Sequence, residues 1–231
     1  MSETPPEHPA PVAAPPPGLP WEDQRAGLGA IFPTLARFIA RPFEAYTQMS
    51  LTVDLVRPLA YFVGLALIGA CISQLWSFLL YDSMVGVVRS LAGAQFEKFA
   101  PFFKQPGALQ LTLGLVITPL IALIVLFIWA GIVHLMLMLL GGANRGFSAT
   151  LRVMCYAETT QLAVVVPGLG GFVAFFWRLV LEMIGLSQAH KTEGWKAAVA
   201  VLLPLALCCA CVAIGIVAFG AAVGQALQNL K

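Results

Sequence analysis

The sequence predicts an all-α, polytopic helical membrane protein, built as a five-span bundle with an N-terminal interfacial amphipathic helix. Apolar runs such as 119–140 and 197–223 are each longer than the roughly 20 residues that a helix needs to cross the hydrocarbon core. Hydrophobic residues make up 59% of the chain, and the mean hydropathy is +0.86. Both values lie above those of ordinary soluble domains. Lipid is therefore the predicted solvent of most of the chain, and the few polar groups within the apolar runs become the candidates for function.

The first 57 residues divide into two predicted parts. Residues 1–20 are crowded with proline and form a predicted disordered tail, because such a segment buries too little apolar surface to offset its ordering entropy. Residues 21–57 form the predicted interfacial amphipathic segment, in which apolar residues recur at helical spacing and arginines lie off that stripe. The side chains predicted to contact lipid are Arg25, Phe32, Arg37, Phe38 and Arg41. A helix packed on the protein's own cytosolic face fits the same pattern equally well.

Prolines, glycines and apolar length set the limits of the other predicted elements. Pro33 is expected to split or kink the interfacial helix, and Pro42 is expected to begin a second short one. The connector 81–111 is amphipathic rather than spanning. Gly141 should end the second span, since glycine favours helix C-termini, and the PGLGG sequence at 167–171 should form a tight turn between two short spans. The five predicted spans cover about 58–80, 112–140, 148–166, 170–187 and 196–223.

Basic residues near the spans predict the orientation of the bundle. With the N-terminus in the cytoplasm, six basic residues near span ends lie inside and four lie outside. The short loops 141–147 and 187–195 both lie on the inner side in this arrangement. The start of the chain lacks the basic and apolar regions of a cleavable signal peptide, so the first span is expected to act as an uncleaved anchor. We therefore expect a cytoplasmic N-terminus and a periplasmic C-terminus.

Three charged residues within the predicted spans form a candidate intramembrane cluster, because a charge inside the bilayer is costly and needs a partner. Glu158 lies ten residues before Gly168 and Arg178 lies ten residues after it, which places both at one depth in an antiparallel hairpin. Glu182 follows Arg178 by one helical turn on the same face. The cluster could fix the register of the hairpin, relay protons or ions, or contact a lipid headgroup or partner. The sequence alone predicts a larger loss for Glu158→Ala than for Arg178→Ala, since arginine cannot lose its proton.

His134 is the fourth member of this candidate intramembrane polar cluster. It lies alone among apolar neighbours in IWAGIVHLMLML, where a neutral, hydrogen-bonded packing residue is the simpler interpretation and a ligand is the alternative. His190 follows the fourth span and is expected to cap helix carbonyls.

Residue spacings exclude several function classes. The five cysteines lie in apolar runs without the Cys or His spacing of a metal site. The Ser/His/Asp, HExxH and Gly-rich phosphate-loop patterns of enzymes are missing too, so no catalytic residue, cofactor or metal is predicted. A net charge of +2 is too small to indicate nucleic-acid binding. The predicted partners are the lipid bilayer and, in addition, protein partners or a second copy of the chain.

The order of several sequence pieces resembles the Yip family, the Ypt/Rab-GTPase-interacting membrane proteins, and is most similar to its bacterial-type members. The pieces are RPFEAY ahead of the first span, GFSATLRVMCYA, the P-x-x-G hairpin, W-x-L-V-L followed by IGLSQAH, and KAAVAVLLP. The resemblance covers about residues 25–222 and departs from the family pattern at Glu158, Thr159 and Thr160. It implies five spans, a cytosolic N-terminus and no catalytic motif.

The resemblance and the residues together predict a non-enzymatic integral membrane protein that organises the membrane or recruits partners. Short loops and the lack of an acidic folded N-terminal domain favour a bacterial inner membrane. The alternative is a small transporter or channel subunit that uses the intramembrane charged cluster, since prolines and glycines interrupt the predicted helices near it.

Overall fold

The computed structural model of the protein describes residues 18–52, 54–102, 105 and 107–228. Every regular element within these ranges is a helix. The α-helices are α1 (Ile31–Ala40), α2 (Pro42–Gln48), α3 (Val56–Leu79), α4 (Tyr81–Ala92), α5 (Phe96–Phe99), α6 (Ala108–Leu139), α7 (Gly146–Ala157), α8 (Gly170–His190) and α9 (Gly194–Gln228). Short 3₁₀ helices connect or extend them at Pro20–Glu22, Leu28–Ala30, Gly93–Gln95, Ala100–Phe102 and Glu158–Val165.

Four helices of the described chain are long and apolar enough to cross a membrane, namely α3, α6, α8 and the Gly194–Gly220 part of α9. They overlap the first, second, fourth and fifth predicted spans. Helix α6 begins four residues earlier than predicted, at Ala108, because the Gln110 side chain accepts a hydrogen bond from the Gly107 N–H and caps the new start. The prediction of a multi-pass integral membrane protein is thus confirmed.

The predicted third span, 148–166, does not continue as an α-helix. Helix α7 ends at Ala157 and the chain winds on as the 3₁₀ helix Glu158–Val165. The hydroxyls of Thr159 and Thr160 each donate to the carbonyl three residues earlier, at 2.8 and 3.0 Å. Side chains that bond the backbone in this way compete with the α-helical ladder and accompany the tighter turn. The segment is therefore a broken helix and falls outside the set of continuous spans.

The N-terminal segment differs from its prediction at Pro33 and at its start, and agrees with it at Pro42. Pro33 lies in the first turn of α1, where its missing N–H costs no hydrogen bond, so the helix runs through it without a break. The break comes at Arg41, whose backbone is not helical (φ −143°, ψ 63°), and Pro42 then begins α2 as predicted. Most of the predicted disordered tail lies outside the described residues. Its last part is ordered, since Leu19 is buried and Pro20 begins a 3₁₀ helix.

The broken helix lies at the centre of the core. Every residue from 149 to 160 is buried, although the segment carries hydroxyl and charged groups. Tyr156 stacks on Phe38 of α1 with ring centroids 5.1 Å apart, and its other ring neighbour is Tyr61 of α3, also at 5.1 Å. Tyr46 of α2 meets Phe38 edge-on at 4.9 Å. These aromatic contacts bind the N-terminal segment to the core, because buried rings contribute both large apolar area and directional packing.

Two helices end in the same six-residue backbone motif. At the end of α6, the Gly142 N–H donates to the Leu137 carbonyl at 2.8 Å and the Gly141 N–H donates to Met138. At the end of α8, Thr192 and Lys191 repeat this pattern with the carbonyls of residues 187 and 188. The motif requires a left-handed residue after the helix, which is Gly141 with φ +64° in one case and Lys191 with φ +50° in the other. The predicted stop at Gly141 agrees with this geometry.

Burial is uneven along the bundle. We call the side that carries residues 18–57 and the turns 140–145 and 191–193 the packed end. The opposite side, with α4 and the turn 166–169, is the open end. The buried residues of α3 all lie between 58 and 70, those of α6 between 126 and 137, and α9 is buried only at Ala197, Ala200 and Val201 among its described side chains. The core therefore occupies the packed end.

Candidate functional site

One arginine joins two carboxylates inside the bundle. The Arg178 Nη1 atom donates to Glu158 Oε2 at 2.5 Å, and its Nε donates to Glu182 Oε1 at 2.9 Å. Both carboxylate side chains are nearly inaccessible, with 6% and 1% exposure, whereas the Arg178 side chain keeps 28%. Trp129 of α6 completes the group by donating its indole N–H to the second Glu182 oxygen at 3.0 Å. We call these four residues the Arg178 cluster.

The Arg178 cluster places one cation between two acids. The guanidinium uses two different N–H groups for two different acids, so it bridges them instead of pairing bidentately with one. With both acids ionised the cluster would carry a net negative charge in a region of low dielectric. The cluster thus holds a bridging cation between the broken helix and α8 and leaves the arginine's outer edge accessible. This arrangement joins the broken helix to α8, and it also provides ionisable groups at the edge of the core.

The structure brings together three of the four residues predicted for the intramembrane cluster and separates the fourth. Glu158, Arg178 and Glu182 meet as described, and the first pair lies well inside the separation expected for strong pairing. His134 belongs to a different network. Trp129 was missed, although an indole N–H within an apolar span signals a buried hydrogen-bond acceptor nearby.

The second network joins His134 and His190 through Thr150. The Arg145 backbone N–H donates to His190 Nδ1 at 3.2 Å, so this nitrogen accepts. In the neutral ring Nε2 then carries the proton and donates to Thr150 Oγ1 at 2.9 Å. The Thr150 hydroxyl can in turn donate to His134 Nδ1, 2.8 Å away. The result is an ordered chain of neutral hydrogen bonds that packs α6, α7 and α8 together, which matches the packing interpretation of His134.

The expected role of His190 as a cap for helix carbonyls is wrong. Its ring faces Thr150 and the Arg145 N–H, and its own carbonyl accepts a hydrogen bond from the Asn144 side chain at 3.1 Å. The ring is fully buried and contacts Thr150 of α7. His190 therefore fastens the turn before α7 to the end of α8. Within the described residues no group of three or more His, Cys, Asp or Glu side chains is arranged to hold a metal ion.

A third polar contact lies between the N-terminal segment and the broken helix. The buried Glu22 carboxylate accepts hydrogen bonds from the Ser50 N–H at 2.8 Å and from the Tyr156 hydroxyl at 3.0 Å. Burial raises the pKa of Glu22, while these donors and the nearby Arg152 act in the opposite direction. This contact was not predicted from the sequence, because Glu22 directly follows a proline-rich tail. Trp21 was the available signal, since a large aromatic residue at the edge of a polar tail indicates docking.

The five residues predicted to contact lipid fall into three groups. Arg25, Phe32 and Arg41 are exposed. Arg37 is partly buried and donates to the Gly18 carbonyl and to the Gln48 side chain. The prediction for Phe38 is wrong, because its side chain is fully buried against Tyr46 and Tyr156. Helix α1 is apolar on two sides, and the side that bears Phe38 faces the core.

Comparison with known proteins identifies one family. The model of the Yip1 domain matches residues 36–216, a stretch that includes α2 to α8, the broken helix and most of α9. No curated protein and no solved structure matches the chain. The match covers both polar networks and the aromatic contacts around Tyr156. The chain belongs to the Yip1 domain family.

Proposed function

We propose that this protein is a non-enzymatic membrane protein that organises the bilayer through its N-terminal segment. The proposal rests on the exposure of apolar side chains on the outer face of α1 and on the residues just before and after it. Four large apolar side chains are exposed there although the opposite face is buried: Leu28 at 78%, Phe32 at 74%, Ile39 at 56% and Phe43 at 58% exposure. Members of the Yip1 family are generally non-enzymatic, which is consistent with this class of function.

More than half of the surface of each of these apolar side chains is left uncovered by the protein, and acyl chains are the environment that would cover it. Removing apolar surface from water contributes about 25 cal/mol per Å². Arg25 and Arg41 lie close in sequence to the exposed face and can reach lipid phosphates. Because Phe38 and Tyr46 hold α1 and α2 against the bundle, the inserted face acts as a wedge anchored to the spans. A wedge in one leaflet expands that leaflet and bends the membrane.

The same proposal includes five membrane crossings. The broken helix comprises 12 α-helical and 8 3₁₀ residues, which together rise about 34 Å, enough for a hydrocarbon core of roughly 30 Å. Arg57, Arg145, Lys191 and Lys196 lie at the packed end, which supports a cytoplasmic location for that end and for the N-terminus, with the C-terminus in the periplasm. A bacterial-type member in an inner membrane fits this arrangement. Protein partners or a second copy of the chain remain predictions.

Vesicle shape tests the proposed function. The full chain is reconstituted into vesicles of phosphatidylcholine and phosphatidylglycerol at increasing protein content, and vesicle diameters are measured by electron cryomicroscopy. Diameters should fall with protein content for the wild type and stay constant for the Phe32→Asp, Ile39→Asp double variant. Gln24→Asp adds a charge at an exposed polar position of the same segment and serves as the control. Equal size distributions for the wild type and the double variant would refute the wedge.

A second candidate function, a small transporter or channel subunit, is favoured by the position of the Arg178 cluster. The cluster lies where a helix is broken, and transporters place broken helices and paired charges at their ion sites. Proton and cation flux into proteoliposomes would separate the two functions. If the wild type conducts ions and the Arg178→Leu variant does not, the transporter function replaces the membrane-organising proposal. If the wild type shows no flux, the membrane-organising proposal stands.

A further inference from the structure

A polar cavity of about 720 Å³ opens at the packed end. Its walls come from three places: the end of α2 and the loop that follows it, the turn before α7, and the end of α8. Arg145 and Lys191 line it together with Ser187, Gln188, Thr192 and Thr47. Neither the Arg178 cluster nor the exposed face of α1 contributes to these walls. The cavity is therefore a separate site, large enough for a small charged group.

The charges in the cavity are all of one sign. Arg145 and Lys191 are both exposed, and no ion pair among the described residues involves either of them. None of the described residues that line the cavity is acidic. The neighbouring Glu193 is already paired with Lys196 at 3.8 Å. Two unneutralised cations beside hydroxyl and amide donors attract an anion with several acceptor oxygens.

The backbone at Lys191 gives a second, independent reason to assign a function to this residue. Lys191 occupies the left-handed position after α8 with φ +50° and is the one non-glycine residue with positive φ in the described chain. Helix α6 uses Gly141 at the equivalent position of the same motif. Glycine adopts this conformation without steric cost and lysine does not. An observed conformational outlier of this kind supports a hypothesis that the side chain itself is needed there.

Hydrogen bonds fix the backbone of Arg145 relative to that of Lys191. His190 precedes Lys191, and its ring accepts the Arg145 N–H while its carbonyl accepts the Asn144 side chain. The turn before α7 is thereby tied to the end of α8, and these partly buried hydrogen bonds bring the two cationic residues to one cavity. The site is preorganised, so binding an anion requires little further ordering of the backbone.

We propose that this cavity binds a phosphate group through Arg145 and Lys191. The phosphate can be presented by an anionic lipid headgroup or by a soluble phosphate compound, since both offer the same oxygens. The inference goes beyond the proposed function and does not depend on it, because the Phe32→Asp, Ile39→Asp variant leaves every wall of the cavity unchanged. Failure of the wedge experiment and failure of this one are therefore distinguishable.

The test uses the purified full chain in detergent. Native mass spectrometry compares retention of phosphatidylglycerol with that of phosphatidylcholine, and a thermal shift assay measures stabilisation by inorganic phosphate. Arg145→Gln and Lys191→Gln should each weaken binding of the phosphate-bearing probe at least fivefold. Lys191→Arg should keep it. Arg89→Gln, on exposed α4 at the open end and outside the cavity walls, should bind as the wild type does.

The Lys191→Gly variant distinguishes a loss of binding from a loss of stability. Glycine relieves the left-handed backbone, so the melting temperature in the absence of ligand should equal or exceed that of the wild type while binding is lost. Selective retention of phosphatidylglycerol that depends on both cations identifies the lipid as the source, and stabilisation by inorganic phosphate with the same dependence identifies a soluble compound. Wild-type binding by Lys191→Gly, a loss in Arg89→Gln equal to that in Arg145→Gln, or no response to either probe would overturn the proposal.

Discussion

The packed end and the open end of the bundle are made from the same long helices but differ in burial and in the contacts between those helices. At the packed end, the broken helix is enclosed by α3, α6 and α8 and covered by the N-terminal segment, and three hydrogen-bonded polar contacts lie within the core. At the open end, α6 before Leu126 and α9 beyond Val201 expose most of their large apolar side chains. The cavity there, of about 310 Å³, is lined mainly by apolar residues such as Trp76, Leu80 and Met84.

The comparison shows which interactions specify a helical membrane fold. Apolar contact with lipid is about as favourable as apolar contact with another helix, so length and hydropathy alone do not choose neighbours. Hydrogen bonds and ion pairs do, because an unsatisfied polar group in hydrocarbon is costly. The packed end therefore determines the arrangement of the helices, and the open end is defined by the membrane around it. Mutations should have much larger effects at the first than at the second.

The largest effect is expected from Arg178→Leu. It leaves Glu158 and Glu182 buried without their cation, and removing one partner from a buried ion pair costs about 3–5 kcal/mol. Glu158→Gln should cost less, because Arg178 keeps Glu182. The geometry thus reverses the order expected from the sequence, in which loss of the glutamate was the worse change. Thermal unfolding in detergent, followed by size-exclusion chromatography, measures both variants.

Arg89→Leu is the matched control for this experiment, since Arg89 is exposed on α4 at the open end. It should change stability by less than about 1 kcal/mol, as is typical of surface charges. If Glu158→Gln and Arg178→Leu destabilise the protein equally, Glu182 does not share the arginine and the bridging arrangement is wrong.

The next effect in size is expected from Gly185→Ala. A Cβ atom at Gly185 would lie 2.5 Å from Val153 Cγ1 and 2.7 Å from the Tyr46 ring. Overfilling a packed core costs about 1–3 kcal/mol. Gly215→Ala in α9 is the control at the open end, because nothing lies within 4 Å of its added Cβ. Alanine should be neutral or stabilising there, by up to about 1 kcal/mol of helix propensity. Similar melting temperatures for the two variants would contradict the division into two ends.

The smallest effect concerns the pH dependence that Glu22 confers. Because burial raises the pKa of Glu22 above its unfolded value, its contribution to stability is full below about pH 4.3 and is lost as the pH rises through the folded pKa. The melting temperature of Glu22→Gln should therefore fall less than that of the wild type between pH 4 and 7, by a few degrees. Glu44→Gln, an exposed residue paired with Arg41, is the control. Parallel pH curves for wild type and Glu22→Gln would show that the carboxylate is not desolvated.

Much of the fold could be predicted because apolar length is a direct consequence of membrane thickness. The positions of α3, α6, α8 and α9 follow from it within a few residues. The broken helix could not be predicted in the same way, since the change to 3₁₀ winding depends on where the hydroxyls of Thr159 and Thr160 find acceptors. Helix α1 shows a related limit. With Leu35 and Phe38 on one side and Phe32 and Ile39 on the other, periodicity cannot tell which side faces the core.

The candidate site was partly predictable for a similar reason. The equal spacing of Glu158 and Arg178 about Gly168, and the single helical turn between Arg178 and Glu182, can be read from short stretches of sequence. The structure contains both of the ion pairs that these spacings predict. Trp129 and Glu22 reach their partners from elements 53 and 134 residues away. Such contacts depend on how the helices pack, which no local pattern encodes. The sequence therefore indicates which charged residues lie inside the bundle, and the packing of the helices determines which other side chains form hydrogen bonds with them.

The pairing of Glu158 with Arg178 also has a consequence for how the chain enters the membrane. The glutamate is synthesised 20 residues before its partner. An acidic residue at the centre of a lone inserting segment costs about 2.5–3.5 kcal/mol on insertion scales, and the broken helix also carries Arg152 and two threonines. A nascent chain that ends before Arg178 thus lacks the cation that pairs with Glu158 in the folded protein, and the segment gains little by entering lipid. If the broken helix crosses the membrane as proposed, insertion becomes favourable once α8 has been made, and we expect the two segments to enter as a pair.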